Sequence, residues 1–394
     1  MCESPDLSRP DARESSPAAV GSARRDFLRR MSIGGAAVVG AGMFGLGAPP
    51  AEAASAGRRD ERPFGPLEVV LLGTQAGPPP DATRAGISSA LVVDGATYLI
   101  DCGRSAVTQY QRAGLKYSSL RNIFLTHLHA DHIADYYNFL MLSGLPSTID
   151  GDMIPAGVGV YGPGPAGALP DPFGGRPAAT ISPESPAPGT AELTSRCDLA
   201  YAYSTNVFMR DNGMRDIRTL RTVTEIAVPE VGASARGNTA PAMRPFHVME
   251  DDRVRVTAIL VPHGPVFPSF AFRFDTDHGS VTFSGDTRRS ENVVALAAGS
   301  DLLIHEALGD PAAAGLPPAV LNHMLESHTL VSEVGAVAQD AGVPHLALSH
   351  IGDFGKEVNL GQWTRLAGRG YDGRVTVGTD LMRLPVSHRT RSTR

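Results

Sequence analysis

Three histidines and two aspartates fall within nine residues of "FLTHLHADHIADY", Phe124 to Tyr136, in a chain that has only 12 histidines among 394 residues. His127 and His129 stand two apart, so on an extended segment both rings point the same way and can share one metal ion. Asp131 and His132 follow at the turn into a helical pattern and can reach a second ion. No cysteine lies in the cluster. Nitrogen and oxygen donors therefore dominate, a set that suits catalytic zinc, manganese or iron rather than a closed structural zinc. Four residues cannot fill two coordination shells, and His263, Asp286 and His350 are the candidates for the rest. Taken alone, each of these histidines reads as an ordinary core or surface residue; what sets them apart is that each closes an apolar strand, as Asp286 does. With Asp286 between them, two divalent ions ~3.5–4 Å apart would lower the pKa of bound water and clamp the oxygens of a displacement at carbon, phosphorus or sulfur.

The elements that must position these residues can be read around them. "LEVVLLG" at 67–73 is a strand, and "SSALVVDGATYLIDCG" at 88–103 is a hairpin turning at Asp94-Gly95. "RSAVTQYQRAG" is a short helix stopped by Gly114, "RNIFLTH" a buried strand, and "ADYYNFLMLSG" a run at helical spacing. The histidine cluster thus lies on a strand-to-helix loop, where chemistry is commonly placed. From about Met153 to Arg244 the pattern breaks down: "YGPGPAGALPDPFGGRPAATISPESPAPG" is dense in Pro, Gly and Ala and reads as a long insertion, followed by a helical stretch at 190–213. The insertion is read either as a lid or recognition element or as a solvated linker. Order returns with "RVRVTAILVPH", with a hairpin at Asp277-His278-Gly279 leading to Asp286, and with "DLLIHEA", which ends near His305-Glu306. An amphipathic helix at 329–342 and the strand "VPHLALSH" follow. The alternation predicts an α/β protein with its polar residues along one sheet edge.

The first 56 residues have a different character. Residues 1–30 are polar and end in "ARRDFLRR", 31–48 are apolar but rich in Gly and Ala, and "PPAEAASA" follows with small residues at A-x-A spacing. This order is that of a secretion signal, and Arg24-Arg25 before Phe27-Leu28 resembles the twin-arginine type, with cleavage near Ala53 or Ala56. The alternative is an uncleaved membrane anchor, which so many glycines serve poorly. The expectation is an exported protein, periplasmic, at the cell surface or secreted, whose hydrolase domain spans 57–394 and keeps no membrane anchor after cleavage.

The net charge is −6, and no long Lys/Arg run is present. That argues against a nucleic-acid partner held by counterion release. Cys102 and Cys197 remain after signal removal, either bridged or reduced and buried.

"THLHADH", "VPH", "FSGDT" and "LSHIG" occur in the order expected of the metallo-β-lactamase superfamily. The chain is similar in particular to its ribonuclease Z and arylsulfatase-like branch, through "LLGTQAG", "SSALVV", "LIDCG", "HEAL" at 305–308 and "SHTL" at 327–330, over most of residues 67–386. The resemblance implies an αββα metallo-β-lactamase sandwich with a long insertion at about 153–244, and two divalent metals, zinc foremost and manganese or iron next. His127, His129 and His263 would hold one metal and Asp131, His132 and His350 the other, with Asp286 bridging. Asp101 would orient a ligand histidine. His328, oriented by Glu306, would protonate the leaving oxygen, and Asp131 would hold or deprotonate the attacking water; the other reading of His328 is a residue at a helix N-terminus with Thr329 as cap. By analogy alone the resemblance also carries a homodimer.

Leu308 departs from the branch, standing where its HEAT motif has threonine. The export signal and acidic balance also depart from an enzyme that processes tRNA. The expected activity is hydrolysis of small phosphodiesters or sulfate esters. The alternatives are a lactonase, a β-lactamase-like or other carboxylic ester hydrolase on the same scaffold and, beyond enzymes, a metal-binding protein without turnover.

Overall fold

The computed structural model describes residues 62–146, 150–170 and 179–388; the export segment read at 1–56 lies outside them. The described residues fall in the compact unit Arg58–Arg394. In chain order the strands are β1 (Leu67–Gly73), β2 (Ser88–Val93), β3 (Ala96–Ile100), β4 (Leu120–Phe124), β5 (Val158–Pro163), β6 (Arg221–Ile226) and β7 (Phe246–Glu250). There follow β8 (Arg255–Leu260), β9 (Phe270–Thr276), β10 (Gly279–Phe283), β11 (Leu302–Leu308), β12 (His345–Gly352), β13 (Arg374–Val377) and β14 (Met382–Pro385).

They form two seven-stranded sheets, ordered β14-β1-β2-β3-β4-β5-β6 and β13-β12-β11-β10-β9-β8-β7. Strict alternation along β1 shows how they stack. Leu67, Val69 and Leu71 join Phe124, Phe272 and Phe274 in the core between the sheets, while Val70 and Leu72 face outward to Tyr110, Phe139 and Leu140 beneath the helices Ala106–Arg112 and Tyr136–Ser143. On the far side Val293, Val334, Val337 and Trp363 cover the second sheet. The result is the expected αββα sandwich.

Several local expectations hold in detail. Asp94 and Gly95 both take positive φ, at 46° and 80°, as a two-residue hairpin turn requires. Gly114, at φ 77°, follows the helix Ala106–Arg112.

The segment 153–244 differs from the expected insertion. Val158–Pro163 and Arg221–Ile226 are β5 and β6, hydrogen-bonded in parallel to each other and, through β5, to β4. Between them the chain carries the expected helical stretch as two helices, Thr190–Ala200 and Ala202–Asn212, whose Leu193, Cys197, Phe208 and Met209 pack against the core on the outer face of the first sheet. Prolines around the six-residue β5 hid it; β5 is an inner strand, and its own Pro163 stands at the last position, past the register with β4. β11 also runs past His305-Glu306 to Leu308, with a register shift at Glu306/Ala307. Cys102, buried, and Cys197, half-buried, are both free thiols.

Candidate metal centre

Parallel pairing sets the C-terminal ends of the chemistry-bearing strands along one edge. β10, β11 and β12 are parallel neighbours, and β8 runs with β10 because both pair antiparallel with β9. Past the end of β8 stands His263, past β10 Asp286, and within the last turns of β11 and β12 stand Glu306 and His350. From the other sheet, β4 delivers the loop holding His127 and His129 into the short helix Ala130–Ile133, which holds Asp131 and His132.

All seven residues converge. His127, His129 and His263 form one group with their ligand atoms within 4.8 Å of one another; His127, His132 and Asp286 form a second, and Asp131, His132 and His350 a third. Asp286 Oδ2 lies at the centre, 3.9 Å from His127 Nε2, 3.3 Å from His132 Nε2, 3.7 Å from His263 Nε2 and 3.2 Å from His350 Nε2. Asp131 Oδ2 is 3.4 Å from His350 Nε2 and 3.5 Å from His132 Nε2.

The rings are aimed by their other nitrogens. Nδ1 of His132 donates to Asp101 Oδ2 at 2.8 Å, and that of His263 to the Ser327 carbonyl at 2.9 Å. Thr126 Oγ1, which donates to Asp101 Oδ2 at 2.9 Å, lies 3.1 Å from His127 Nδ1 and accepts from it. Each bond selects the tautomer that turns the Nε2 lone pair into the cluster. The arrangement carries strain: Asp101 and His350 hold left-handed φ of 58° and 45°, which side chains with a Cβ adopt at a cost of about 1–2 kcal/mol. Gly285, at φ 58°, permits the turn into Asp286, where a Cβ would come within 2.5 Å of the Phe270 carbonyl oxygen.

Burial drives the His127 and His129 pKa values down, and that of His263 down to about 3, so these rings are neutral donors. Burial works against the Asp286 charge as well, but the histidines around it, His350 and His132 first, hold its carboxyl well below the usual range. The cluster leaves His127 Nε2, His132 Nε2 and Asp286 Oδ1 buried with no hydrogen-bond partner. His263 Nε2 and His129 Nδ1 face each other at 3.2 Å. Buried polar atoms are otherwise almost always satisfied. Converging orphan nitrogens around a carboxylate fit divalent cations, and such ions would satisfy those histidine nitrogens.

Beside the cluster, His328 Nδ1 donates to both oxygens of Glu306 at 3.0 Å. His328, Asp286 and His263 have ligand atoms within 4.8 Å of one another. Burial opposes a charge on His328, yet the Glu306 carboxylate outweighs it and pushes the pKa up to about 9. His328 does not start a helix; it directly follows the helix Pro318–Ser327, and the Thr329 hydroxyl donates to the Thr287 carbonyl. Three contributors went unread in the sequence. Thr126 stands in the quoted motif, immediately before His127. The Gly77 N–H donates to Asp131 Oδ2 at 3.0 Å, and the Thr287 N–H to Glu306 at 2.6 Å; backbone donors leave no side-chain signal.

Known proteins share this arrangement of chain. A family model described as "Anti-Pycsar protein Apyc1" matches residues 81–140, which include the histidine cluster. The ribonuclease Z of Mycobacterium bovis (strain BCG / Pasteur 1173P2) is 31% identical over 329 residues, 82% of this chain and 99% of its own length. That of Mycobacterium avium (strain 104) is 30% identical over 320 residues, 81% of this chain and 98% of its own. Among solved structures, the short form of human tRNase Z superposes with a TM-score of 0.54 at 22% identity, covering 82% of this chain and all of its own. The metallo-β-lactamase fold protein YhfI from Bacillus subtilis does so at 0.52 and 16%, covering 81% and 99%. Likeness of this extent, over a fold built to gather seven ligand-type side chains, makes the chain a member of the ribonuclease Z family of metallo-β-lactamase-fold, metal-dependent hydrolases.

Proposed function

We propose that the protein is a dinuclear phosphodiesterase of small molecules rather than of RNA. The observation that carries the reading is the His328-Glu306 pair beside the ligand cluster. A charged imidazole held by a carboxylate is a proton donor for a poor oxygen leaving group, which an easily opened lactam needs less. The name of the ribonuclease Z relatives supports cleavage of a phosphodiester, and the net charge of −6 argues against a polyanionic partner.

His127, His129 and His263 would hold one ion and Asp131, His132 and His350 the other, with Asp286 shared. Bound there, divalent ions would activate water and neutralise charge developing on phosphorus oxygens. Asp131 is an acceptor for the attacking water: burial opposes its charge, but His350 and His132 hold it as an anion. Water's oxygen bonds to phosphorus, the phosphorus–oxygen bond to the leaving group breaks, and the His328 Nε2 proton goes to the departing oxygen. Water's proton then restores His328, leaving one alcohol and one phosphomonoester. His328→Ala tests the assignment: metal content by elemental analysis should stay at the wild-type value. Turnover of alkyl phosphodiesters should fall about 10²–10⁴-fold, and that of 4-nitrophenyl diesters, whose leaving group needs little protonation, far less. Equal losses on both substrates would remove the acid role.

Export by the twin-arginine route is part of the proposal, supported by Arg24-Arg25, the Gly/Ala-rich run at 31–48 and the small residues at 51–56. N-terminal sequencing of the protein from the exported fraction should begin after Ala53 or Ala56; an intact Met1 there would count against it.

A further inference from the structure

Two clefts open from the metal centre, and no described residue lines both. One, of about 400 Å³, reaches it at His129 and is walled by Leu128, Ile133, Ala168, Leu193 and Phe267. The other, of about 410 Å³, reaches it at His328 and His350 and is walled by Pro78–Pro80, Leu308, Met324 and Phe354. Among the described lining residues of either cleft there is no Lys or Arg. In the first, His129 is the one ionisable group among the described lining residues. In the second, besides Glu306 and the two histidines, the ionisable groups are Asp81 and Asp353, the latter paired with Arg84 at 3.3 Å.

We infer that the substrate is a phosphodiester with two uncharged, apolar arms, the leaving alcohol in the His328 cleft and the retained arm in the His129 cleft. This rests on the phosphodiesterase reading above and narrows it. The orientation follows from chemistry: the departing oxygen must lie beside its proton donor, and that donor lines only the Met324 side. The pairing of clefts favours a bond with a carbon group on each side. A sulfate monoester would fill one and leave the other to water. A nucleotide chain would set its flanking phosphates against an apolar wall on one side and beside Asp81 and Asp353 on the other, with no Lys or Arg among the described lining residues to receive them. A hydrocarbon or aryl arm, by contrast, gains by leaving water in either cleft.

The test uses the metal-loaded protein and a series of alkyl 4-nitrophenyl phosphates in which the retained alkyl arm grows from methyl to octyl. Each added methylene should raise kcat/KM about three- to four-fold until the cleft is filled. 4-Nitrophenyl sulfate, with its one arm, should be slower than the longer diesters by about ten-fold or more. Ala168→Trp should bring the octyl-to-methyl ratio towards one, and Met324→Trp, in the opposite cleft, should leave that ratio as it is. A methyl ester that turns over with no gain along the series would overturn the inference and leave the phosphodiesterase reading standing. So would a gain that Met324→Trp abolishes and Ala168→Trp does not, since the arms would then be reversed. Turnover of lactones or sulfate esters with none of any diester would sink both.

Discussion

At the scale of single residues, the site depends on groups that never touch substrate. Asp101 is 3% exposed and accepts from His132, from Thr126 Oγ1 and from the Thr126 N–H. An amide in its place would turn a donor towards one of those donors and loosen the His132 ring. Asp101→Asn should weaken metal binding about 10–100-fold, read by competition with a chelator, while turnover recovers in excess metal. An unchanged metal affinity would show that His132 needs no such anchor. The left-handed φ of Asp101 and His350 belongs to the same economy of position: backbone strain is tolerated where the fold over-determines it, and both residues act within the cluster.

Among the elements, β1 shows what fastens the first sheet. Its Glu68 is fully buried, opposite Pro385 of β14, and is held by Arg383 at 2.8 Å, by Arg62 and by the Gly65 N–H at 3.2 Å. Burial disfavours the Glu68 charge, but the Arg383 and Arg62 hydrogen bonds outweigh it and set its pKa below the ordinary 4.5. A carboxylate whose folded pKa is depressed contributes stability above its unfolded pKa and loses it as pH falls through the folded value. Glu68→Ala removes the carboxylate that faces the buried Arg383 guanidinium and should cost about 3 kcal/mol near neutral pH. In thermal melts the gap to wild type should shrink as pH drops below about 4.5, the unfolded carboxylate range. A gap independent of pH would mean that lost packing, not charge, carries the effect.

In the whole molecule, the ligand cluster joins the two sheets at one edge. His127, His129, Asp131 and His132 come from the first sheet, and His263, Asp286 and His350 from the second. Below that edge the sheets are already locked by Phe124, whose ring centroid lies 5.5 Å from Phe272 and 5.1 Å from Phe274 of the other sheet. Chelation should therefore leave the sandwich folded but less stable. Metal at a hundred times its Kd adds about 2.7 kcal/mol. For a domain of this size that corresponds to a Tm rise of roughly 4 °C on reloading, with near-ultraviolet circular dichroism nearly unchanged. Loss of that signal on chelation would mean that the ions hold the sheets together.

What the sequence determined by itself was local. The H-x-H-x-D-H spacing announced a metal site because four donors within six residues need no knowledge of the fold, and β1 to β4 and β8 to β12 were legible because each alternation or apolar run reports its own burial. The resemblance supplied the pairing of His328 with Glu306, 22 positions apart. What only the tertiary structure decided depends on contacts between distant segments. His350 meets Asp131 across 219 positions, and no spacing encodes that distance. β5 is a strand because β4 offers it a hydrogen-bonding edge, and β6 because β5 does so in turn, which their Pro- and Gly-dense surroundings do not show. The two clefts, without Lys or Arg among their described lining residues, exist only where loops from both sheets come to rest beside the metal centre. Ligand identity is a property of residue type and survives in one dimension, whereas the shape and charge around a substrate are properties of neighbours that the chain brings together only by folding.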